Sequence, residues 1–280
     1  MAISILTNVA SLNAQRNLNT TQTALSASIG RLSSGMRINN AADDAAGLGI
    51  SENLKADLRS LSQASRNAND GVSMSQVAEG SMNEMQGIVT RMRELSVQSA
   101  NQTLGTTERG YIQTEFGQLR NEINRISAVT EFNGQKLVDG SASAGLSFQV
   151  GMQNTSNDRI SMSITKLTTS TLGSTSLHIA SASLSTATNA RAALGAFDKA
   201  IEQLSTARAK VGAVQNRMQV TISNLAVAHE NLSAANSRIR DVDVASETSQ
   251  LTKSQILSQA GLAVLSQANQ LPNSALSLLR

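Results

Sequence analysis

The stretch that decides the fold is FDKAIEQLSTARAKVGAVQNRMQVTISNLAVAHENLSAANSRI, residues 197–239. Large apolar residues stand at every seventh position in it: Phe197, Leu204, Val211, Met218, Leu225, Leu232 and Ile239. A heptad repeat sustained over this length predicts a helix of about 65 Å packed in a coiled coil or bundle. The partner row is mostly polar, which predicts a selective seam: Ile201, Arg208, Gln215, Ile222, His229 and Asn236.

Two further stretches show the same kind of spacing. The first begins near Leu54, changes phase after Val72, and has its seam at Leu58, Leu61, Ala68, Val72, Val77, Met85, Ile88, Met92 and Leu95. The second has its seam at Ile112, Phe116, Leu119, Ile123 and Ile126. Residues 101–107 separate the two as a turn with helix-capping residues. Three long amphipathic helices side by side predict a mainly α, antiparallel bundle.

Residues 131–175 change character. Asn133-Gly134 and Asp139-Gly140 are turn dipeptides typical of hairpins. Residues 146–150 and 160–164 alternate with a period of two, which predicts a small β-hairpin region at one end of the bundle. Residues rich in Ser, Thr and Ala then lead back to the last long helix.

The two ends of the chain carry narrow apolar stripes. Their members are Leu18, Leu25, Ile29 and Leu32 near the start, and Leu257, Val264, Leu271 and Leu278 near the end. Polar breaks at 39–47 and 240–246 separate these stripes from the bundle. Because neither stripe can form a core alone, the two ends are expected to fold together. The predicted division is 1–40 with 246–280, 41–130 with 190–245, and 131–189 as hairpin and linker.

Composition excludes several classes of protein. Aromatic residues make up 2% of the 280 residues, and the one proline permits very long helices. There are no cysteines, so disulfides and thiolate chemistry are excluded. The net charge of +3 is scattered rather than clustered, which argues against nucleic-acid binding. No apolar stretch reaches the roughly 18 residues of a membrane span, and the first residues do not resemble a cleaved signal peptide.

No group of residues predicts catalysis, a cofactor or a metal. His229-Glu230 begins like a zinc-protease motif, but Ser233 stands where the second histidine would be needed. His178 lies in a Ser/Thr/Ala stretch, where a surface role is expected. Asp43 and Asp44 are expected to complement the dipole at a helix N-terminus.

Four segments together resemble the bacterial flagellin family. They are IGRLSSGMRINNAADDAAGL (29–48), SRIRDVDVASET (237–248), AGLAVLSQANQLP (260–272) and LSLLR (276–280). The resemblance covers roughly 1–140 and 190–280. It implies a subunit that polymerises with itself into the flagellar filament used for motility, with the paired terminal helices forming an inner coiled coil. The middle is too short for the large outer domains that many members carry.

The resemblance also implies a location and partners. The implied location is the extracellular filament, which the chain would reach by secretion through the flagellum's own type III apparatus. The implied partners are an export chaperone, a cap protein and hook–filament junction proteins. It further implies binding to the flagellin-sensing Toll-like receptor through Arg91, Leu95 and Glu115. Two alternatives stay open at this point: a hook–filament junction protein with similar ends, and a secreted signalling ligand.

Overall fold

The computed structural model describes residues 7–277, with side chains as far as Gln270. Five helices dominate it: α1 Val9–Ser34, α2 Ala45–Ser99, α3 Thr106–Val129, α4 Ala187–Arg240 and α5 Val244–Ser277. Between α3 and α4 lie four short strands: β1 Glu131–Phe132, β2 Gln135–Lys136, β3 Leu146–Gln149 and β4 Arg159–Met162. The same segment holds two short 3-10 helices, Ser141–Ala144 and Ile179–Ser181. The predicted mainly α class is confirmed.

Contacts divide the chain into two compact units. The bundle unit is Arg59–His229, and the terminal unit joins the residues up to Leu58 with those from Glu230 onward. The three-part division predicted from the sequence stays a prediction.

The seam of α2 within the bundle unit runs without any change of phase. One continuous row of buried positions alternates by three and four, and Val72, Met74 and Leu95 are buried beside it: Leu61, Ala64, Ala68, Gly71, Ser75, Ala78, Met82, Met85, Val89, Met92, Ser96 and Ser99. The predicted phase shift is therefore wrong, and Val77 is exposed at 41% while the neighbouring Ala78 is buried. The phase shift was predicted because the seam has small residues at Gly71, Ser75 and Ala78. Small residues let the helices approach closely, but their low hydropathy hides them from a search for apolar positions.

The seam of α4 has the predicted heptad row but a different partner row. Phe197, Leu204, Val211 and Met218 are fully buried. Their partners in the seam are small residues three or four positions away on the same face, Ala193, Ala200 and Ala207, which are buried. The predicted polar row flanks this seam, and His229 is exposed, so its assignment to the seam is wrong.

Antiparallel contacts join α2 to α4. The Ser96 hydroxyl donates to the Ala190 carbonyl at 2.7 Å, and Arg208 donates to the Gln86 amide oxygen at 2.8 Å. Further along, a side chain on Gly71 would lie within 2.7 Å of the Met218 thioether. The predicted seam of α3 adds Phe116, whose ring meets Phe197 edge-on with centroids 5.9 Å apart. Phe116, Phe197 and the other large apolar side chains of these seams form the core of the bundle unit.

The predicted β-hairpin of residues 146–150 and 160–164 is confirmed, as is the predicted turn at Asn133-Gly134. β3 pairs with β4 antiparallel from Leu146↔Met162 to Gln149↔Arg159, closed by the polar 151–158 turn. Asn133 and Gly134 both adopt positive φ (51° and 77°) in a two-residue turn between β1 and β2. The prediction of a hairpin turn at Asp139-Gly140 is wrong. The Asp139 carboxylate instead accepts the Ser141 amide at 2.9 Å and starts a 3-10 helix.

Residues 165–185 have little regular structure, yet they belong to the core. Leu167, Leu172, Ile179 and Leu184 are buried with the helices. Helix side chains satisfy the backbone groups of this segment: Gln113 accepts the Leu184 amide at 2.6 Å, Asn124 accepts the Thr169 amide at 3.2 Å, and Gln203 exchanges two hydrogen bonds with Gly173. The segment expected to be a linker is thus a fixed part of the bundle unit.

Candidate assembly surface on the terminal helices

Helices α1 and α5 of the terminal unit pair with each other in antiparallel fashion. The Asn8 amide donates to the Ala268 carbonyl at 2.8 Å near one end of the pair. Near the other end, Arg31 lies 3.9 Å from the Glu247 carboxylate. The predicted pairing of the N- and C-terminal helices is therefore confirmed within the described residues.

The seam between α1 and α5 is made largely of small or polar residues. On α1 the inward positions are Ser11, Ala14, Leu18, Thr21, Leu25, Ser28 and Leu32. On α5 they are Glu247, Leu251, Ser254, Ser258, Gly261, Leu265 and Ala268. Of these fourteen positions only Ser28, Ser254 and Ala268 are fully buried. Such a seam permits close approach but removes little apolar surface from water.

Larger apolar side chains of the same two helices face outward. The exposed set is Val9, Leu12, Ile29, Val244, Ile256, Leu257, Leu262 and Val264. On α5 the exposed apolar residues form a nearly continuous strip along one side of the helix. Its members are Ile256, Leu257, Ala260 and Val264. We call this set the outer apolar face. Burying one such side chain stabilises by about 1.5–3 kcal/mol, so the face is a strong site for association.

The eight residues predicted as a subunit interface fall into two different places. Leu18, Leu25 and Leu32 are half-buried in the seam between α1 and α5. Ile29, Leu257 and Val264 belong to the outer apolar face, the last two at 49% and 58% exposure. The side chain of Leu271 and the whole of Leu278 lie outside the described residues. The heptad at the end of the chain therefore marks an outward face and not the seam within the molecule.

The two polar breaks of the sequence meet each other in the structure. Met36 and Asp241 form an antiparallel bridge, flanked by hydrogen bonds from the Arg37 amide to the Arg240 carbonyl at 2.6 Å and from the Val242 amide to the Gly35 carbonyl at 3.1 Å. Gly35 makes this possible because it ends α1 with a positive φ of 70°. We call these contacts the junction. Both breaks are visible in the sequence, but no local pattern in it predicts that they pair.

Carboxylates stabilise the junction and the loop that leads from it into α2. Asp43 accepts the backbone amides of Asn40 at 3.0 Å and Asn39 at 3.1 Å, which together with the Arg31 guanidinium lower the pKa of its carboxyl. Glu52 accepts a hydrogen bond from Arg240, and its pKa is lowered by that bond. Asp44 accepts the Gly47 amide at 2.8 Å at the start of α2, as expected of a helix cap. Asp43 stands one residue earlier and closes the preceding loop through the Asn39 and Asn40 amides, and its predicted effect on the helix dipole stays a prediction.

The three residues predicted to bind the receptor do not form one surface. Arg91 on α2 and Glu115 on α3 are exposed and joined by an ion pair of 2.9 Å, while Arg91 also pairs with Glu94 at 3.0 Å. The hydrogen bonds that Arg91 donates to Glu94 and Glu115 raise the pKa of Arg91. Leu95 is 1% exposed and belongs to the bundle core. In the described subunit only the charged pair is accessible to a partner.

The described residues contain no cluster of three potential metal ligands among His, Cys, Asp and Glu. His178 is half-buried in a turn where its backbone bridges to Gly173. Within the described part of the chain, no helix is both long and apolar enough to cross a bilayer.

Comparison with known proteins agrees with this arrangement. Residues 5–143 match the bacterial flagellin N-terminal helical region, and residues 194–279 match the bacterial flagellin C-terminal helical region. A flagellin of Halalkalibacterium halodurans is 44% identical over 273 residues, and a flagellar filament 33 kDa core protein of Treponema phagedenis is 42% identical over 283 residues. Each alignment covers 98% of both chains.

A solved structure described as a flagellar hook-associated protein from Vibrio parahaemolyticus shares the fold alone. It has a TM-score of 0.61 at 15% identity, and the alignment covers 71% of this chain and 100% of the other. The two family matches lie on the segments that form the terminal pair, the junction and the helical bundle. The chain therefore belongs to the bacterial flagellin family and is a short structural subunit of the flagellar filament, not an enzyme.

Proposed function

We propose that this chain polymerises by burying the outer apolar face of α1 and α5 against neighbouring copies of itself, and that the filament so formed serves motility. The observation that carries the proposal is the reversed distribution of side chains in the terminal pair. Its seam holds Ser28, Ser254 and Gly261, while Ile256, Leu257 and Val264 remain in contact with water.

The same distribution predicts that folding of the ends is coupled to assembly. An isolated helix is marginal in water, and a seam of small residues adds little to its stability. Contact with another copy would bury the large outward residues and so favour the ordered pair. Assembly and ordering of α1 and α5 would then occur together.

Deletion of residues 246–280 tests this function. We expect the truncated chain to remain unassembled under conditions in which the full chain forms filaments visible by electron microscopy. Circular dichroism and urea unfolding should show that its bundle unit is still folded, because the core around Phe116 and Phe197 lies within 59–229. Filaments of normal length and yield from the truncated chain would contradict the proposal.

We propose further that the subunit reaches the extracellular filament through the flagellum's own export apparatus, with an export chaperone, a cap and hook–filament junction proteins as partners. The outer apolar face supports a chaperone, since these side chains would be exposed before assembly. The test is secretion of the chain into the medium by a flagellated host. Loss of the host's flagellar export apparatus should retain the chain inside the cell, and unchanged secretion would contradict this route.

A second candidate function is recognition by the flagellin-sensing Toll-like receptor. Its support here is the exposed Arg91–Glu115 pair, which offers a receptor charge and hydrogen-bonding groups on two adjacent helices. Leu95 would contribute indirectly, by fixing the turn of α2 that carries Arg91.

A reporter-cell assay with free subunits tests the receptor proposal. Arg91→Ala should reduce the response, whereas Arg125→Ala, which removes an exposed arginine paired with Glu122 on α3, should not. Equal responses from the two variants would contradict the proposed role of Arg91.

A further inference from the structure

The end of the terminal pair distant from the junction carries a small group of polar contacts between the two helices. Asn8 accepts the Ser11 amide at 3.1 Å and so caps α1. The same side chain donates to the Ala268 carbonyl of α5 at 2.8 Å. Ser11 donates its hydroxyl to the Asn269 amide oxygen at 2.7 Å. We call Asn8, Ser11 and Asn269 the polar clasp.

The residue pattern in the seam between α1 and α5 repeats every seven residues. On α1 the leucines Leu18, Leu25 and Leu32 are seven residues apart. On α5 the small residues Ser254, Gly261 and Ala268 have the same spacing. A slide of one helix past the other by one heptad, about 10 Å, would therefore bring leucines against small residues again. The apolar pattern alone does not choose the register.

Only contacts that do not repeat can distinguish one register from the next. The junction supplies such contacts at the base of the pair, through the Met36–Asp241 bridge and the Arg31–Glu247 pair. The clasp supplies them at the other end of a 26-residue helix. A slipped register would leave the Ser11 hydroxyl without the Asn269 amide oxygen, whereas the Asn8 amide donates to a backbone carbonyl, a group that every residue of α5 carries. A polar residue at one seam position is known to specify register in coiled coils.

We infer that Asn8, Ser11 and Asn269, together with the junction, fix the register in which α5 pairs with α1. This inference rests on the proposed function in one respect, since the register matters when the ends order during assembly. Register determines where Leu257 and Val264 lie along the pair, and a slip of about 10 Å would misplace them against a neighbouring copy. The clasp residues are positioning residues for assembly and do not belong to the outer apolar face.

Disulfide trapping measures the register directly, because the natural chain has no cysteine. A Cβ atom built on Gly261 lies 3.9 Å from the Cβ of Leu18, inside the range of about 3.5–4.5 Å for a disulfide. Leu18→Cys with Gly261→Cys therefore reports the observed register. Leu25→Cys with Gly261→Cys reports a slip of one heptad. Assembled protein is oxidised with copper phenanthroline, and crosslinks within one chain are separated from crosslinks between chains on a non-reducing gel.

With the clasp intact we expect the first pair to crosslink and the second to give only a trace. Asn8→Ala with Asn269→Ala should raise the yield of the second pair by up to about tenfold, as expected from losing the one side-chain hydrogen bond that is specific to the observed register. Asn13→Ala with Gln259→Ala, two exposed polar positions on the same helices, is the matched control and should leave both yields unchanged. An unchanged yield of the slipped crosslink without the clasp would overturn the inference.

Assembly itself is scored separately. If removing the clasp prevents assembly, the same oxidation is carried out on free subunits, and an unchanged ratio of the two crosslinks there overturns the inference. If the unsubstituted chain forms no filaments while its in-register crosslink still depends on the clasp, the proposed function is wrong but the inference about the register is supported.

Discussion

The bundle unit and the terminal pair use the same 3–4 spacing in opposite ways. In the bundle unit the repeat places Met82, Met85, Phe116, Phe197 and Leu204 in the interior. In the terminal pair it places mostly small or polar residues and five half-buried leucines between the helices, and it leaves other leucine, isoleucine and valine side chains outside. The period of a pattern therefore identifies the helix, but the size of the inward residues decides whether the helix is complete within one molecule.

The largest difference is expected in amide hydrogen exchange of the free subunit. If the small-residue seam is weak, amides of α1 and α5 should exchange at least about a thousandfold faster than those of residues 61–99 in α2, after correction for intrinsic rates. Mass spectrometry of exchanged peptides measures both regions in one sample. Equal protection of the two regions would show that the terminal pair is as stable as the bundle.

Core aromatic residues should show the next largest effect. Phe197→Ala removes a ring that is fully buried against Phe116, and it should lower the free energy of unfolding by about 3–5 kcal/mol in urea. The matched variant is Tyr111→Ala, an aromatic residue that is 73% exposed on α3, and its effect should stay within about 0.5 kcal/mol. A small loss for Phe197→Ala would mean that the bundle unit has no tightly packed core.

Glycines on α2 test how closely its seam is packed. At Gly80 nothing lies within 4 Å of an added methyl group, so Gly80→Ala should stabilise by about 1 kcal/mol through helix propensity. At Gly71 the methyl would meet Met218 at 2.7 Å and Phe148 at 3.2 Å. There the gain should be cancelled or reversed by overpacking of about 1–3 kcal/mol. Urea unfolding of both variants checks this, and equal stabilisation would argue that Gly71 is not a close-contact position.

Acid should act selectively on the junction. The folded state lowers the pKa of Asp43 and Glu52, so it favours their ionised forms. Their stabilisation is therefore complete above the ordinary values of 3.8 and 4.5 and is lost as the pH falls below them. Protection of the Arg37 and Val242 amides should decline in that window. Asp43→Asn should weaken the junction already at neutral pH, whereas Asp70→Asn, on an exposed position of α2, should not; no difference between these variants would refute the role of Asp43.

Much of the fold follows from local patterns that the sequence displays. The long helices followed from heptad rows, and two hairpins followed from Asn133-Gly134 and from the alternation around Phe148 and Ile160. What escaped prediction depends on contacts between distant residues. The positions of Gly71 and Ala78 in the α2 seam are set by the partner helix, and the segment around Thr169 and Gly173 is held by side chains of other helices.

The assembly surface was predicted only in part, because it too depends on contacts between distant residues. The heptad through Leu257 and Val264 identified apolar positions correctly but could not show which face of α5 meets α1. Gly261 and Ser254 form that seam, and their low hydropathy concealed it. The pairing of the two polar breaks at Met36 and Asp241 likewise has no local signature.

The central claim is that the outward residues of the terminal pair exist to meet other copies of the chain. It is tested most directly by measuring filament yield, by sedimentation and electron microscopy, for Leu257→Asn with Val264→Asn. Gln255→Asn with Ser266→Asn, two exposed polar positions of α5, is the control. We predict that the first variant keeps the helical content and urea unfolding of the natural subunit but forms no filaments, while the control assembles normally. Filaments of the Leu257 and Val264 variant at the natural yield would contradict the account.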